Sequence, residues 1–220
     1  MEFLIKITDR LRNFSDPVDV IQKNEVGVTL GEYSMSLSNL IKSLTSSITE
    51  GERMETPFLP KNCIKCVTKV TGYEIYIEIP KRQWQINYNG KTETIGFPRL
   101  LFTYSLSGND IQNLKIVAVK ENGYIKGDTD LFYFPFPNVH HSSADVCMGT
   151  NTFPRIECLN SLETMHYIFF AAPFGDDYGA VNSEGKSMKS LFESLKDSDF
   201  DDNLLVPMKV TFNEFFALNK

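Results

Sequence analysis

Cys147 and Asn138 are the residues whose types and spacing best fit a chemical role. Asn138 lies nine residues before Cys147, and the segment between them has the composition of a loop. A thiolate can attack a thioester or amide carbonyl, and a fixed side-chain amide can donate to the oxyanion that forms. Pro135 and Pro137 flank Phe136 and stiffen the approach to Asn138. The alternative is structural, because free cysteine is among the residue types most often buried.

Three further residues of this loop could support a nucleophile. His140 and His141 could supply a base beside Cys147, although adjacent histidines are also common in ordinary exposed loops. Asp145 lies two residues before Cys147 and could orient or deprotonate an incoming lysine. With Pro137, these residues form the supporting part of the predicted site.

Cys63, Cys66 and His166 are weaker functional candidates. Cys63 and Cys66 form a C-x-x-C pair, but on a strand this spacing points the two thiols to opposite faces, which does not suit chelation. No second C-x-x-C pair accompanies them, so the sequence predicts no metal site. His166 falls on the apolar face of a predicted helix, where a core role is expected.

Composition narrows the class of protein. The 220-residue chain has a formal net charge of -6, and 42% of its residues are hydrophobic. This argues against nonspecific nucleic-acid binding, which needs a basic face. No apolar run approaches the roughly 18 residues that span a bilayer, and residues 1–7 do not form a signal peptide. With no disulfide pattern among its four cysteines, the chain is expected to be cytoplasmic, with reduced thiols and no membrane segment.

Hydrophobic periodicity predicts the elements that precede the loop. Apolar residues at helical spacing from Leu37 to Ile48 predict a helix that Ser34 or Ser36 caps and Gly51 ends. Alternating segments then predict an antiparallel meander with tight turns such as Asn89-Gly90. The predicted strands are Tyr73–Ile79, Gln83–Asn89, Lys91–Ile95, Leu100–Leu106 and Leu114–Val119.

Residues 131–139 are apolar but interrupted by Pro135 and Pro137, so they are expected to run extended along a sheet edge or over the core. Helices return after the Cys147 loop, the first with Asn160 and Glu163 as a capping pair. Later apolar stripes predict a helix around Met188, Leu191, Phe192 and Leu195, and a short last helix capped by Thr211 and Glu214. The predicted strands lie together in the middle of the sequence and the helices lie before and after them, which indicates the α+β class.

The acidic run at residues 197–202 is expected to be a solvated loop, with docking of a basic partner as the alternative.

Taken in order, these motifs resemble a known family. Leu131-Phe-Tyr-Phe-Pro-Phe-Pro-Asn-Val139 and Asp145-Val-Cys-Met-Gly149 are similar to the core signature of prokaryotic ubiquitin-conjugating-like (UBC) family D, which includes protein B of the PRTRC systems. Phe58-Leu-Pro-Lys-Asn-Cys-Ile64 and Phe97-Pro-Arg-Leu-Leu-Phe102 resemble two further motifs of that family. The segment before Cys147 is also similar to the His-Pro-Asn segment of eukaryotic conjugating enzymes, with Phe136 in place of the histidine.

The resemblance implies a UBC-like fold: an antiparallel meander between an N-terminal helix and C-terminal helices, with the active-site loop after the proline-rich segment. It aligns Cys147 with the thioester-forming cysteine and Asn138 with the oxyanion asparagine. The implied activity is to accept a ubiquitin-like protein from a ThiF-type activating enzyme and pass it to an amine, without a small-molecule cofactor. The resemblance also implies a JAB-type metalloprotease that removes the ubiquitin-like protein, in a bacterial, phage or plasmid system.

Two other hypotheses fit the same sequence. The chain could be a non-catalytic UBC-like binding module or scaffold for such a system, with Cys147 structural. It could also be a phage or plasmid structural protein whose apolar helices mediate assembly. For domain organisation, we expect residues 1–31 to form an arm or hairpin and residues 32–220 to form the UBC-like domain.

Overall fold

The computed structural model describes residues 2–46, 56–121, 123–149 and 151–217. The chain divides into two compact units, one of Met1–Thr56 with Thr68–Gly72 and one of Pro57–Val67 with Tyr73–Lys220. The domain boundary after residue 31 stays a prediction. The predicted end of the first helix at Gly51 lies outside the described residues.

The first unit is a small antiparallel sheet with one helix. Its strands β1 (Glu2–Lys6), β2 (Pro17–Lys23) and β3 (Thr29–Ser36) lie in the order β1-β2-β3, and α1 (Leu37–Ser46) follows. Val18 of β2 packs with Leu37 and Leu40 of α1 in a small core. Ser36 caps the helix, since its hydroxyl accepts a hydrogen bond from the backbone N–H of Asn39 at 3.3 Å.

The second unit holds two sheets and the remaining helices. Its strands are β4 (Cys63–Lys69), β5 (Gly72–Ile79), β6 (Arg82–Tyr88), β7 (Lys91–Phe97), β8 (Arg99–Ser107), β9 (Asp110–Val119), β10 (Asp130–Phe132), β11 (Pro173–Phe174) and β12 (Pro207–Thr211). Six strands form one sheet in the order β12-β10-β9-β8-β5-β4, and three form another in the order β11-β6-β7. Antiparallel sheets with few helices confirm the predicted α+β class.

The strand order differs from the continuous meander that the sequence predicts. The β6–β7 hairpin leaves the main sheet, and β5 pairs instead with β8, with Ile77 opposite Phe102. Pro80 ends β5, and because proline donates no backbone hydrogen bond, the ladder does not continue directly into β6. The turn itself is as predicted: Asn89 and Gly90 both have positive φ, at 49° and 77°, as a two-residue hairpin turn requires.

The acidic run at residues 197–202 is not a simple solvated loop. It crosses β7 so closely that a Cβ atom on Gly96 would lie 2.2 Å from the carbonyl oxygen of Ser198. Phe200 is buried in the core, and Asp202 forms a 2.9 Å ion pair with Lys81. Its acidic residues therefore flank a segment that closes the core, which corrects the first interpretation.

The proline-rich segment runs over the core as predicted. β10 gives one short stretch of ladder between β9 and β12, and the chain then leaves the named strands and bends at residues 136–138. Phe134 and Phe136 are buried, and the carbonyl oxygen of Pro135 accepts a 3.1 Å hydrogen bond from the N–H of Val181. The rings anchor this segment against the core and bring the chain to Asn138 and the Cys147 loop.

In the described ranges, three α-helices and two 3₁₀ helices, one of them Asp202–Leu204, follow the Cys147 loop. A 3₁₀ helix (Leu159–Thr164) leads into α2 (His166–Ala171), and α3 (Met188–Leu195) and α4 (Phe212–Phe215) come later. The predicted Asn160 cap is wrong, because the 3₁₀ helix begins after Cys158 without a side-chain cap. The capping box of Thr211 and Glu214 is confirmed. No helix in the described ranges is long and apolar enough to cross a membrane.

Candidate active site

The loop that carries Cys147 closes like a small hairpin on Asn138. Val139 and Val146 form an antiparallel bridge, and the backbone N–H of His140 donates to the carbonyl oxygen of Asp145 at 2.8 Å. The N–H of Cys147 donates to the carbonyl oxygen of Asn138, also at 2.8 Å. The backbone therefore brings together the two residues that the sequence singles out.

Cys147 is exposed and lies in an open cleft of about 450 Å³. Asn138 lines the same cleft, and asparagines, glycines and the β11 segment form much of the remaining wall: Asn87, Asn89, Gly90, Gly149, Asn151, Pro173 and Gly175. A thiol in this position can be reached by an extended acyl chain, and the surrounding amides offer hydrogen bonds to its peptide groups. The exposure of Cys147 argues against the interpretation of this residue as a buried structural cysteine.

Asn138 is held in a conformation that few residue types adopt readily. Its φ is 72°, in the left-handed region where asparagine is favoured over most other non-glycine residues. Its side-chain Nδ2 donates a 3.0 Å hydrogen bond to the carbonyl oxygen of Pro173 in β11. A carboxamide has two N–H donors, so this bond fixes the side chain and uses one of them. The predicted oxyanion role of Asn138 stays a prediction.

Asp145 anchors the loop to β9. Its carboxylate accepts from Asn113 Nδ2 at 2.7 Å and pairs with Lys115 Nζ at 2.8 Å. Two backbone hydrogen bonds join the loop to the same strand. The N–H of Val146 donates to the carbonyl oxygen of Leu114 at 2.9 Å, and the N–H of Ile116 donates to that of Ala144 at 3.0 Å. Through Oδ1, Asp145 therefore holds the loop on β9, and its predicted role toward an incoming lysine stays a prediction.

These contacts also set the pKa of Asp145. Partial burial raises it, but hydrogen bonds from Lys115, Ser143 and Asn113 outweigh burial and lower the pKa to about 2. A carboxylate whose pKa is lower in the folded state stabilises the fold above its unfolded pKa, near 4. That contribution is lost as the pH falls through the folded pKa near 2.

Asp145→Asn should therefore lower the free energy of unfolding near neutral pH by about 1 kcal/mol, the upper end for a partly exposed pair that solvent screens. The difference from the unchanged protein should shrink as the pH falls from about 4 towards about 2. Urea unfolding of both proteins across this range measures it. If the two proteins differed in free energy of unfolding by the same amount at both ends of this pH range, the lowered pKa of Asp145 would be contradicted.

The two loop histidines lie in different environments. His140 is exposed, and its Nδ1 lies 3.3 Å from the hydroxyl of Ser142. His141 is half-buried, with no hydrogen-bond partner for its Nε2, and burial followed by the neighbouring His140 lowers its pKa. Neither histidine lines the cleft of Cys147. A role for either as a base stays a prediction.

Tyr178 is a site residue that sequence reasoning missed. It lies in the turn after β11 with φ of 67°, and its ring centroid is 5.0 Å from that of His140. The charge of a Cys147 thiolate, and a hydrogen bond between the two side chains, raise the pKa of Tyr178. The phenol can therefore donate to the sulfur. The only local signal is the turn composition of Gly175-Asp-Asp-Tyr-Gly179, which says nothing about a partner 31 residues earlier.

The turn that carries Tyr178 is tied to the cleft from both sides. β11 pairs in parallel with β6, and the hydroxyl of Tyr88 donates to Asp176 at 2.7 Å. On the other side, the side-chain amide of Asn138 donates a hydrogen bond to the carbonyl oxygen of Pro173. The sequence was also compared with known families, and a model of prokaryotic E2 family D matches residues 36–208. The chain belongs to prokaryotic E2 family D.

The match to family D spans both Asn138 and Cys147, and it confirms the family that the motifs around them resemble. No curated protein and no solved structure matches the chain. Membership of an E2-like family implies a ubiquitin-conjugating-like role and, in general, interaction with a ubiquitin-like protein and its activating enzyme.

Outside the cleft, the predicted structural residues of this family D protein lie in packed surroundings. Cys63 and Cys66 are half-buried on β4, and desolvation raises the pKa of both thiols. Within the described ranges, no three His, Cys, Asp or Glu side chains come together as a metal site. His166 is buried as predicted, with its ring 5.5 Å from Trp84, and burial lowers its pKa.

The contact between Tyr178 and Cys147 can be tested by titration. Cys147→Ala should lower the pKa of Tyr178 towards the ordinary tyrosine value, because it removes the negative sulfur that opposes ionisation of the phenol. The Cζ chemical shift of labelled tyrosines, followed against pH and assigned with Tyr178→Phe, measures this. Cys158→Ala removes another exposed thiol and should leave the titration unchanged. An unaltered titration in Cys147→Ala would show that the two side chains do not interact.

Proposed function

We propose that this family D protein accepts a ubiquitin-like protein as a thioester on Cys147 and passes it to an amine. The observation that carries the proposal is the exposed position of Cys147 in an open cleft that Asn138 also lines. A buried thiol could not receive a protein-sized acyl group. The order of a sheet, a proline-rich segment, the cysteine loop and helices α2 and α3 supports a UBC-like scaffold around it.

The reaction divides into two acyl transfers. In the first, the Cys147 thiolate attacks the thioester carbonyl presented by a ThiF-type activating enzyme, and the thiol of that enzyme leaves. In the second, an amine attacks the Cys147 thioester, loses a proton, and expels the Cys147 thiolate. Each transfer passes through a tetrahedral oxyanion, which hydrogen-bond donors stabilise. A JAB-type metalloprotease would hydrolyse the resulting amide in the same system.

The residues around Cys147 have distinct parts in this scheme. Asn138 offers its second N–H to the oxyanion while its first holds Pro173. Tyr178 donates to the sulfur when it is a thiolate, both before attack and after expulsion. Asp145 and Lys115 hold the loop on β9, which keeps the sulfur in place during both transfers. Pro137 has a fixed φ and restricts Phe136 before it, so the chain that leads into Asn138 is stiff.

The direct test is to incubate the protein with its cognate activating enzyme, ATP and the ubiquitin-like protein. We expect an adduct of both proteins that survives non-reducing electrophoresis and disappears on treatment with thiols. Cys147→Ala should form none, whereas Cys158→Ala, which removes the other exposed cysteine, should form as much as the unchanged protein. Retention of the adduct by Cys147→Ala would remove Cys147 as the acceptor.

A specific observation favours a second candidate function, that of a non-catalytic binding module. The Asn138 amide is bonded to Pro173, and Phe136 is buried where eukaryotic enzymes carry histidine. In that case the protein would bind the ubiquitin-like protein or its activating enzyme without forming a thioester. Binding detected by calorimetry, with no thiol-sensitive adduct and no alkylation of Cys147 near neutral pH, would support this function and contradict the first.

A further inference from the structure

Strand β1 has an open and unusually apolar edge. It is the terminal strand of the first unit's sheet, and no strand of the described chain pairs with its outer side. All five of its residues are exposed, including Phe3, Leu4 and Ile5 at 52%, 40% and 37%. An edge strand presents unpaired N–H and C=O groups to any second strand, and natural proteins usually protect it with central charges or proline. Here the centre is apolar, and charges lie only at the two ends.

The sequence of β1 is complementary to itself in the antiparallel direction. Antiparallel pairing centred on Leu4 places Leu4 opposite Leu4 of a second copy, and Phe3 opposite Ile5 of that copy. It also places Glu2 opposite Lys6, once at each end. We propose that two copies of this chain associate by antiparallel pairing of their β1 strands, which joins two three-stranded sheets into one of six strands.

Charges on the neighbouring strand fit this arrangement. Within the sheet, Glu2 lies opposite Lys23 and Lys6 lies opposite Asp19. Across the joined sheet, one row would therefore run Lys23, Glu2, then Lys6 and Asp19 of the second copy, and the signs alternate throughout. Opposite charges that face each other across strands stabilise pairing, and like charges destabilise it. Parallel pairing would place Glu2 beside Glu2 and Lys6 beside Lys6, so the charges favour the antiparallel direction.

The apolar residues continue across the joined sheet on both faces. Leu4 lies opposite Ile21 on β2, so Ile21 and Leu4 of both copies would form one stripe. On the other face, Ile5 lies opposite the buried Val20, and Phe3 of the second copy would extend that row. Side chains that are exposed in a single copy would thus gain apolar neighbours, which is the driving force for association.

The proposed contact between two β1 strands is small, so it is measured through its dependence on protein concentration. One five-residue strand pair is less extensive than a standard protein interface, so we expect monomer and dimer to exchange at micromolar concentrations. Sedimentation of the full chain, with any affinity tag at the C-terminus, should show a mass that rises from 25.1 kDa towards twice that value as concentration increases. A mass of one chain at every concentration would overturn the proposal.

Charge reversal provides a matched pair of variants. Glu2→Lys alone places two lysine–lysine pairs across the interface, and Lys6→Glu alone places two glutamate–glutamate pairs, so each should be a monomer. An equimolar mixture restores an opposite charge at both ends and should be a dimer with one copy of each. A folding defect would not be repaired by mixing, so a mixture that stays monomeric would contradict β1 pairing.

A crosslink locates the contact independently. In a Cys147→Ser, Cys158→Ser background, Leu4→Cys should form a disulfide between copies under mild oxidation, because directly opposite residues bring their Cβ atoms within disulfide range. Phe3→Cys lies opposite Ile5 of the second copy and should crosslink far less. Equal crosslinking of the two variants would place the contact elsewhere. This proposal does not depend on the function of Cys147.

Discussion

Replacing Asn138 with glycine or aspartate should slow transfer of a bound acyl group from Cys147 to an amine by about 10²–10³-fold, the range for loss of one oxyanion donor. Both replacements remove the carboxamide N–H groups, and both tolerate the positive φ of 72° better than alanine does. The measurement is single-turnover transfer from the isolated thioester to free lysine. It separates this step from the activating enzyme.

Asn138 also holds Pro173, so the result needs a control for loop anchoring. Tyr88→Phe removes the 2.7 Å hydrogen bond to Asp176, which anchors the same turn at a distance from the sulfur. If Asn138 acts on the oxyanion, Tyr88→Phe should change the transfer rate by less than about threefold, the effect of a weak exposed bond. Equal losses in both variants would mean that Asn138 only positions the turn. An unchanged rate in the Asn138 variants would exclude both roles.

Phe136→Ala should lower the free energy of unfolding of the second unit by about 3–5 kcal/mol, the usual cost of deleting a fully buried ring. The Phe136 side chain is 0% exposed. Its ring stacks on Phe192 at 5.3 Å between centroids and lies 4.3 Å from Phe97. Removing it leaves a cavity among aromatic residues that β7 and α3 hold in place, so the core cannot readily collapse to fill the space.

The single tryptophan makes this measurement specific to the second unit. Trp84 stacks on Phe170 at 4.0 Å, so its fluorescence during urea unfolding follows the core that contains Phe136. Phe58→Ala is the matched control, because Phe58 is 87% exposed and its loss should change stability by less than about 0.5 kcal/mol. A loss below about 1 kcal/mol in Phe136→Ala would show that the core relaxes around the missing ring.

Phe136 also shows how far sequence reasoning reached. Two prolines around an aromatic residue predicted a segment that runs extended along a sheet edge or over the core. The buried ring of Phe136 confirms the position over the core. The stripe on α3 was predicted correctly for the same reason: Met188, Leu191 and Phe192 follow a helical period, and all are buried. Periodicity and proline act within a few residues, so they can be interpreted without knowledge of the rest of the fold.

Two local patterns in the sequence predicted the wrong structure. Asn160 and Glu163 have the pattern of a capping box, yet the 3₁₀ helix begins one residue earlier and leaves Asn160 without that role. Phe200 lies within a run of aspartates whose composition indicates solvent, but it is buried because β7 offers a glycine over which the chain can cross. At Phe200, packing against β7 therefore overrode the local preference.

The sequence by itself determined the α+β class, the Asn89-Gly90 turn, the buried face of α3 and the closeness of Asn138 to Cys147. Each depends on residues that are near one another along the chain, where backbone geometry and side-chain period leave few alternatives. Only the tertiary structure decided that β5 pairs with β8, that Lys115 and Asn113 hold the loop, and that Tyr178 reaches Cys147. These contacts join distant segments, and many pairings of similar energy are compatible with the same local patterns until the whole core is packed.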